Sequence, residues 1–113
     1  MISMAEYTVR EFLREGSSPF GDWFTELDST AASKITTALY RLEHGNFSSV
    51  RSVGGGAFEY KIDFGPGYRI YFGQDGNTLV ILLCGGTKKT QQRDINRARD
   101  FWQEYKTREK AGG

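Results

Sequence analysis

Hydrophobic positions change their period twice along the chain. In "EYTVREFL" (Glu6–Leu13), Tyr7 and Val9 alternate with polar residues, which predicts a short first strand at a sheet edge. Past "EGSSP", Phe20, Trp23, Phe24 and Leu27 recur at helical spacing and form one apolar stripe. Ser18 is the expected N-cap of that helix and Pro19 its first residue. "DSTAASKITTALYRLEHGN" predicts a second helix, capped by Asp28 or Ser29. Its buried face is Ala31, Ile35, Ala38, Leu39 and Leu42, and Gly45 stops it. So short a joint makes the two helices an αα-hairpin.

After Gly45 the period becomes that of strands. Gly54–Gly56 reads as a flexible break, and three strands follow it. "AFEYKIDF" puts Phe58, Tyr60, Ile62 and Phe64 on one face and Ala57, Glu59, Lys61 and Asp63 on the other. "YRIYF" alternates likewise, with Arg69 and Tyr71 on the polar side. Gln74–Asn77 is a turn with Asp-Gly at its centre. "TLVILLC" is apolar throughout, as suits an interior strand covered on both faces. A three-residue loop, Gly65–Gly67, keeps the faces of the first two strands consistent. It pairs Phe64 with Tyr68, Ile62 with Ile70, Asp63 with Arg69 and Lys61 with Tyr71. "TQQRDINRARDFWQEYKTREK" predicts a last helix capped by Thr90, with Ile95, Ala98, Trp102 and Tyr105 as its stripe. The expected fold is α+β: one domain over residues 1–113, in the order β-α-α-β-β-β-α. Its sheet is mainly antiparallel and four-stranded, helices pack on one face, and residues 107–113 form a frayed tail.

Composition adds limits. An apolar share of 38% and an aromatic share of 14% in 113 residues fit one folded domain. Mean hydropathy is −0.53, and no apolar run approaches the length of a membrane span. "MISMAEYTVREF" lacks a basic segment followed by an apolar one, so no secretory leader is expected. Cys84, in an apolar strand, reads as a buried structural thiol. A cytoplasmic protein without a membrane partner is the expectation. The net charge of +1 hides a gradient: −3 over residues 1–50, zero over 51–84 and +4 over 85–113. Such a basic end permits an anionic partner but does not require one.

One His and one Cys give no metal-ligand cluster, and no metal or cofactor is expected. His44, next to the helix-stopping Gly45, reads as a charge complement at a helix C-terminus. "CGGTKKT" lacks phosphate-loop spacing. The remaining constellation is basic. Lys61 and Arg69 share the polar face of the hairpin, Lys88 and Lys89 follow the last strand, and Arg93, Arg97 and Arg99 lie on the last helix. Tyr71 offers a stacking face or a hydroxyl. Two readings stay open from the residues alone: a cross-strand Asp63–Arg69 ion pair with a solvated helix face, or a site for phosphate.

"GGGAFEYKIDFGPGYRIYF" together with "LLCGGTKKTQQRDINRARDFWQEY" resembles the RelE/ParE-like toxins of bacterial type II toxin–antitoxin modules. The nearest branch is that of phage-derived Gp49-like or HigB-like addiction module killer proteins. The resemblance spans roughly Tyr7 to Lys106. It implies a metal-independent, ribosome-dependent endoribonuclease that cleaves mRNA by attack of a ribose 2′-oxygen on the adjacent phosphate and so inhibits translation. Carried over from the resemblance, the catalytic residues are Lys61, Arg69 and Lys88, with Lys89 beside them; together with Arg93, Tyr71 and Arg97 from the basic constellation, Lys89 makes up the candidate RNA- or phosphate-binding set. For proton transfer the resemblance leaves Lys61 or Asp63 as base and Lys88 or Arg93 beside the leaving group. Where the best-studied branch has a C-terminal tyrosine that stacks on the base, this chain reads "QQRDI". The implied partners are the ribosome, mRNA and a cognate antitoxin, a small helix-turn-helix protein; a homodimer stays open. A superfamily member that inhibits DNA gyrase by binding, and an inactive phage-derived remnant, are the alternatives.

Overall fold

The structure is a computed structural model that describes residues 6–112. The leader reading begins at Met1, so residues 1–5 of it lie outside the described residues. The chain runs β1 (Thr8–Glu11), α1 (Pro19–Thr25), α2 (Ser29–Glu43), β2 (Val50–Gly54), β3 (Ala57–Ile62), β4 (Tyr68–Asp75), β5 (Leu79–Thr87) and α3 (Gln91–Gly112). A single 3-10 turn, Lys88–Thr90, joins β5 to α3.

The first two helices start where their caps place them. The hydroxyl of Ser18 accepts the Gly21 N–H at 2.8 Å, and the Asp28 carboxylate accepts the Ala31 N–H at 2.8 Å. At the end of α2, Nδ1 of His44 lies 2.8 Å from the Tyr40 carbonyl. Thr90, expected as the cap of α3, lies in the preceding turn, and its hydroxyl donates to the Asp94 carboxylate. Helical structure continues through residues 107–112.

The sheet has five strands in the order β1-β5-β4-β3-β2, one more than expected. The additional strand is β2, whose "VRSVG" has no apolar alternation to announce it. Gly54–Gly56, rather than a flexible break, ends β2 at Gly54 and turns through Gly55 and Gly56 into β3. All three glycines take positive φ (+89°, +64° and +85°), which only glycine adopts freely. Arg99 of α3 secures the connection, its Nε donating to the Val53 carbonyl at 2.8 Å. The sheet is mixed: β1 runs parallel to β5, and every other pairing is antiparallel.

Helices cover both faces, not one. Phe20 of α1 and Ile35, Ala38 and Leu42 of α2 pack on Tyr60, Ile70, Phe72, Val80 and Leu82. On the opposite face, Ile95, Ala98, Phe101 and Trp102 of α3 pack on Val53, Ala57, Tyr71, Ile81 and Leu83. The side of the hairpin that reads as polar is thus partly roofed by α3, and Glu59, Arg69 and Tyr71 are buried beneath it. The double-sided burial of β5 required such a roof.

Two irregularities aim the end of β5. A bulge between β4 and β5 leaves Leu83 as the extra residue, since Tyr71 pairs with Cys84 and Phe72 with Leu82. Beyond it, Gly85 and Gly86 face opposite sides of the sheet. A Cβ on Gly85 would stand 2.2 Å from the Trp23 ring, and one on Gly86 would stand 1.9 Å from the Asp94 carboxylate. The glycine pair is therefore a seat for α1 on one face and for α3 on the other.

Candidate functional site

The β3–β4 register decides which charges meet. The connecting loop takes five residues, Asp63–Gly67, rather than three. Lys61 pairs with Arg69, Glu59 with Tyr71, Tyr60 with Ile70 and Phe58 with Phe72. The shift from the expected pairing is two residues, so each side chain keeps its face while its partner changes. The cause is local. The Phe64 N–H bonds to the Ile62 carbonyl and the Gly67 N–H to the Phe64 carbonyl, closing a turn inside the loop. Phe64 is held there beneath the Lys34 ammonium, 4.9 Å from its ring centroid.

Asp63 is consequently not the partner of Arg69. Its exposed carboxylate lies 3.4 Å from the Lys61 ammonium. The acid beside Arg69 is Glu59, whose Oε2 is 3.7 Å from Nε of the arginine. Sequence reasoning missed Glu59, although a lone acid in the apolar strand "AFEYKI", on the same face as Arg69, was the available signal.

Three elements converge on that carboxylate. Arg51 of β2 donates from Nε to Oε1 at 2.8 Å. The Tyr71 hydroxyl of β4 donates to Oε2 at 3.0 Å, and Nε2 of Gln91, the first residue of α3, donates to Oε2 at 2.9 Å. Burial pushes the Glu59 carboxyl pKa up, but the hydrogen bonds from Arg51, Gln91 and Tyr71 outweigh it, and the net displacement is downward. Glu59 is thus an anion held by its donors. Burial, followed by the adjacent Glu59 charge, pushes the Tyr71 phenol well above its ordinary value.

The implied catalytic cations come together at this end of the sheet. Lys61 and Arg69 are direct cross-strand partners. Lys88 is linked to Arg69 through Gly67, whose carbonyl accepts Nη1 of Arg69 at 2.6 Å and the Lys88 N–H at 2.9 Å. Their exposure differs sharply: the Lys61 side chain is 52% exposed and that of Arg69 only 5%. Lys88 and its neighbour Lys89 are exposed on the 3-10 turn. Tyr71 is fully buried, so it supports Glu59 from below and presents no stacking face.

Arg93 and Arg97 have a different acidic partner. Both turn to the buried Asp94, with nitrogens 3.4 and 3.7 Å from its Oδ1. They line a cleft of about 560 Å³ between α1 and α3, together with Arg14, Asp22, Trp23 and Phe101. Of the seven basic and aromatic candidates, five thus lie around Arg69, while Arg93 and Arg97 turn to Asp94 in the cleft beside α1. Among the described residues, no three His, Cys, Asp or Glu side chains gather as a metal site, and no helix is long and apolar enough to cross a membrane.

Comparison with known proteins adds a family. A protein of Haemophilus influenzae, described as an uncharacterized protein, is 45% identical over 86 residues, which covers 75% of this chain and 87% of that protein. The family model "Phage derived protein Gp49-like (DUF891)" matches residues 22–103, a span that includes β2 to β5 and every cation of the Arg69 cluster. That family is one of toxin–antitoxin toxins, and the chain belongs to it.

Proposed function

We propose that the chain is the toxin of a type II toxin–antitoxin module and acts as a metal-independent, ribosome-dependent mRNA endoribonuclease. The observation that carries this reading is the junction of Lys61, Arg69 and Lys88 at one end of the sheet, on three successive chain segments. Attack of a ribose 2′-oxygen on the adjacent phosphate builds negative charge on the phosphoryl oxygens. It also needs a proton acceptor at the 2′-hydroxyl and a donor for the departing 5′-oxygen. Arg69 and Lys88 supply fixed positive charge to the phosphoryl oxygens. The exposed Lys61–Asp63 pair supplies the groups that exchange protons with solvent and substrate. Lys89 extends the basic surface along the RNA backbone. The partners in this reading are the ribosome, mRNA and a cognate helix-turn-helix antitoxin.

One observation favours a second reading, inhibition of DNA gyrase by binding. Arg69 is almost wholly buried beside Glu59, and a binding surface needs no exposed catalytic arginine. Expression of the chain without an antitoxin separates the two. Translation arrest with new mRNA 5′ ends supports the nuclease; intact mRNA with a DNA-damage response supports the gyrase reading and refutes the first.

A further inference from the structure

We propose that Glu59 is a positioning residue for Arg69, fixing its guanidinium so that Nη2 is the nitrogen presented to the scissile phosphate; this rests on the endoribonuclease reading above. A guanidinium is a rigid planar fork, so fixing two of its nitrogens fixes the direction of the third. Nη1 is tied to the Gly67 carbonyl at 2.6 Å. Nε points towards Glu59 but stops at 3.7 Å, buried and without a hydrogen-bond partner. Nη2 takes no protein partner among the described residues.

The orphaned Nε is the informative feature. A buried donor normally finds an acceptor, because leaving it bare is unfavourable. Here the acceptor is close but is held back by its other donors. Oε1 of Glu59 belongs to Arg51, and Oε2 already accepts from Tyr71 and Gln91. The carboxylate is anchored from β2, β4 and α3 by these three donors, with its Oε2 3.7 Å short of a bond to Nε. It attracts the guanidinium electrostatically without closing on it. Arg69 is thereby aligned yet left with unsatisfied hydrogen-bonding capacity, which a phosphate oxygen at Nη2 can engage in a charge-assisted bond. Asp63 does not perform this task, since it is 85% exposed and paired with Lys61.

The test combines two measurements on wild type and Glu59→Gln, which keeps the shape and removes the charge. Single-turnover cleavage on mRNA-programmed ribosomes should show the limiting rate falling at least tenfold while half-saturation changes less than twofold. Tyr71→Phe, which removes one donor from Glu59, should show a smaller fall of the same kind. In parallel, the NMR signal of the Arg69 Nε–H, assigned by its loss in Arg69→Lys, should shift and exchange at least tenfold faster in Glu59→Gln. An unchanged signal in a folded variant overturns the proposal, and so does a moved signal with an unchanged cleavage rate. If wild type cuts no ribosome-bound mRNA, the endoribonuclease reading fails, and the NMR signal still decides whether Glu59 orients Arg69.

Discussion

The carbonyl of Gly67 holds Arg69 in place, accepting its Nη1 at 2.6 Å while also receiving the backbone N–H of Lys88 at 2.9 Å. One peptide group on the β3–β4 loop thus ties the guanidinium of Arg69 to the backbone of Lys88. Gly67 has φ +77°, and a Cβ there would stand 3.1 Å from Nη1 of Arg69. Gly67→Ala should cost about 1–2 kcal/mol through the left-handed backbone. It should also lower cleavage at least tenfold by displacing Arg69. Denaturant midpoints and mapped mRNA ends measure the two effects separately.

Arg69→Ala should abolish toxicity with the fold retained. Glu59 keeps three other donors, so its charge is not stranded. A loss of about a hundredfold or more in cleavage is expected for removing a preorganised donor to developing charge. Lys61→Ala, at an exposed position, should leave stability within about 0.5 kcal/mol of wild type while reducing cleavage. Growth on induction and circular dichroism check both variants.

Gly85→Ala tests the seat beneath α1. The added methyl would collide with the Trp23 ring at 2.2 Å, against a strand buried on both faces. A destabilisation of about 3 kcal/mol is expected. Pairing it with Trp23→Ala should recover part of that loss, because the colliding ring is gone; the double-mutant cycle in denaturant reads the coupling.

Acid stability should report Glu59. Its folded pKa lies below the ordinary 4.5, so its contribution to stability is complete above that value and is lost as pH falls through the folded pKa. Glu59→Gln should be less stable than wild type at neutral pH, and the gap should narrow on acidification below about pH 4.5. Urea midpoints measured from pH 7 downward give the comparison.

Cys84 should resist thiol reagents in the native protein. Burial is the main cause that pushes its thiol up to about 12, and its side chain lies inside the core beneath α3. Labelling should proceed at the rate of opening and become immediate in denaturant.

The helical half of the molecule was largely legible in the sequence. Ser18-Pro19 and Asp28 act locally, and a cap announces itself within four residues. The face of every hairpin residue was legible too, because alternation survives an even shift of register. The partner of Arg69 was not, because the turn inside Asp63–Gly67 lengthens the loop by two residues without disturbing the alternation that the sequence displays. Nor was the Glu59 network, whose donors Arg51 and Gln91 lie 8 and 32 residues away in the chain. The roof of α3 had a signal that was present but at odds with the polar look of β3 and β4: "TLVILLC" carries no solvent face, so helices had to cover both sides. The sheet count failed at "VRSVG", where strand formation comes from pairing with β3 and not from composition.

The parallel pairing of β1 with β5 joins Thr8 to Leu79 and Glu11 to Leu82. Among the described residues, β1 therefore has no strand neighbour until β5 is in place. Closure of that long loop must precede completion of the sheet, a non-local step whose entropy cost comes before its contacts form. Lys88 follows β5 directly, so it joins Lys61 and Arg69 only once β5 has paired with β4.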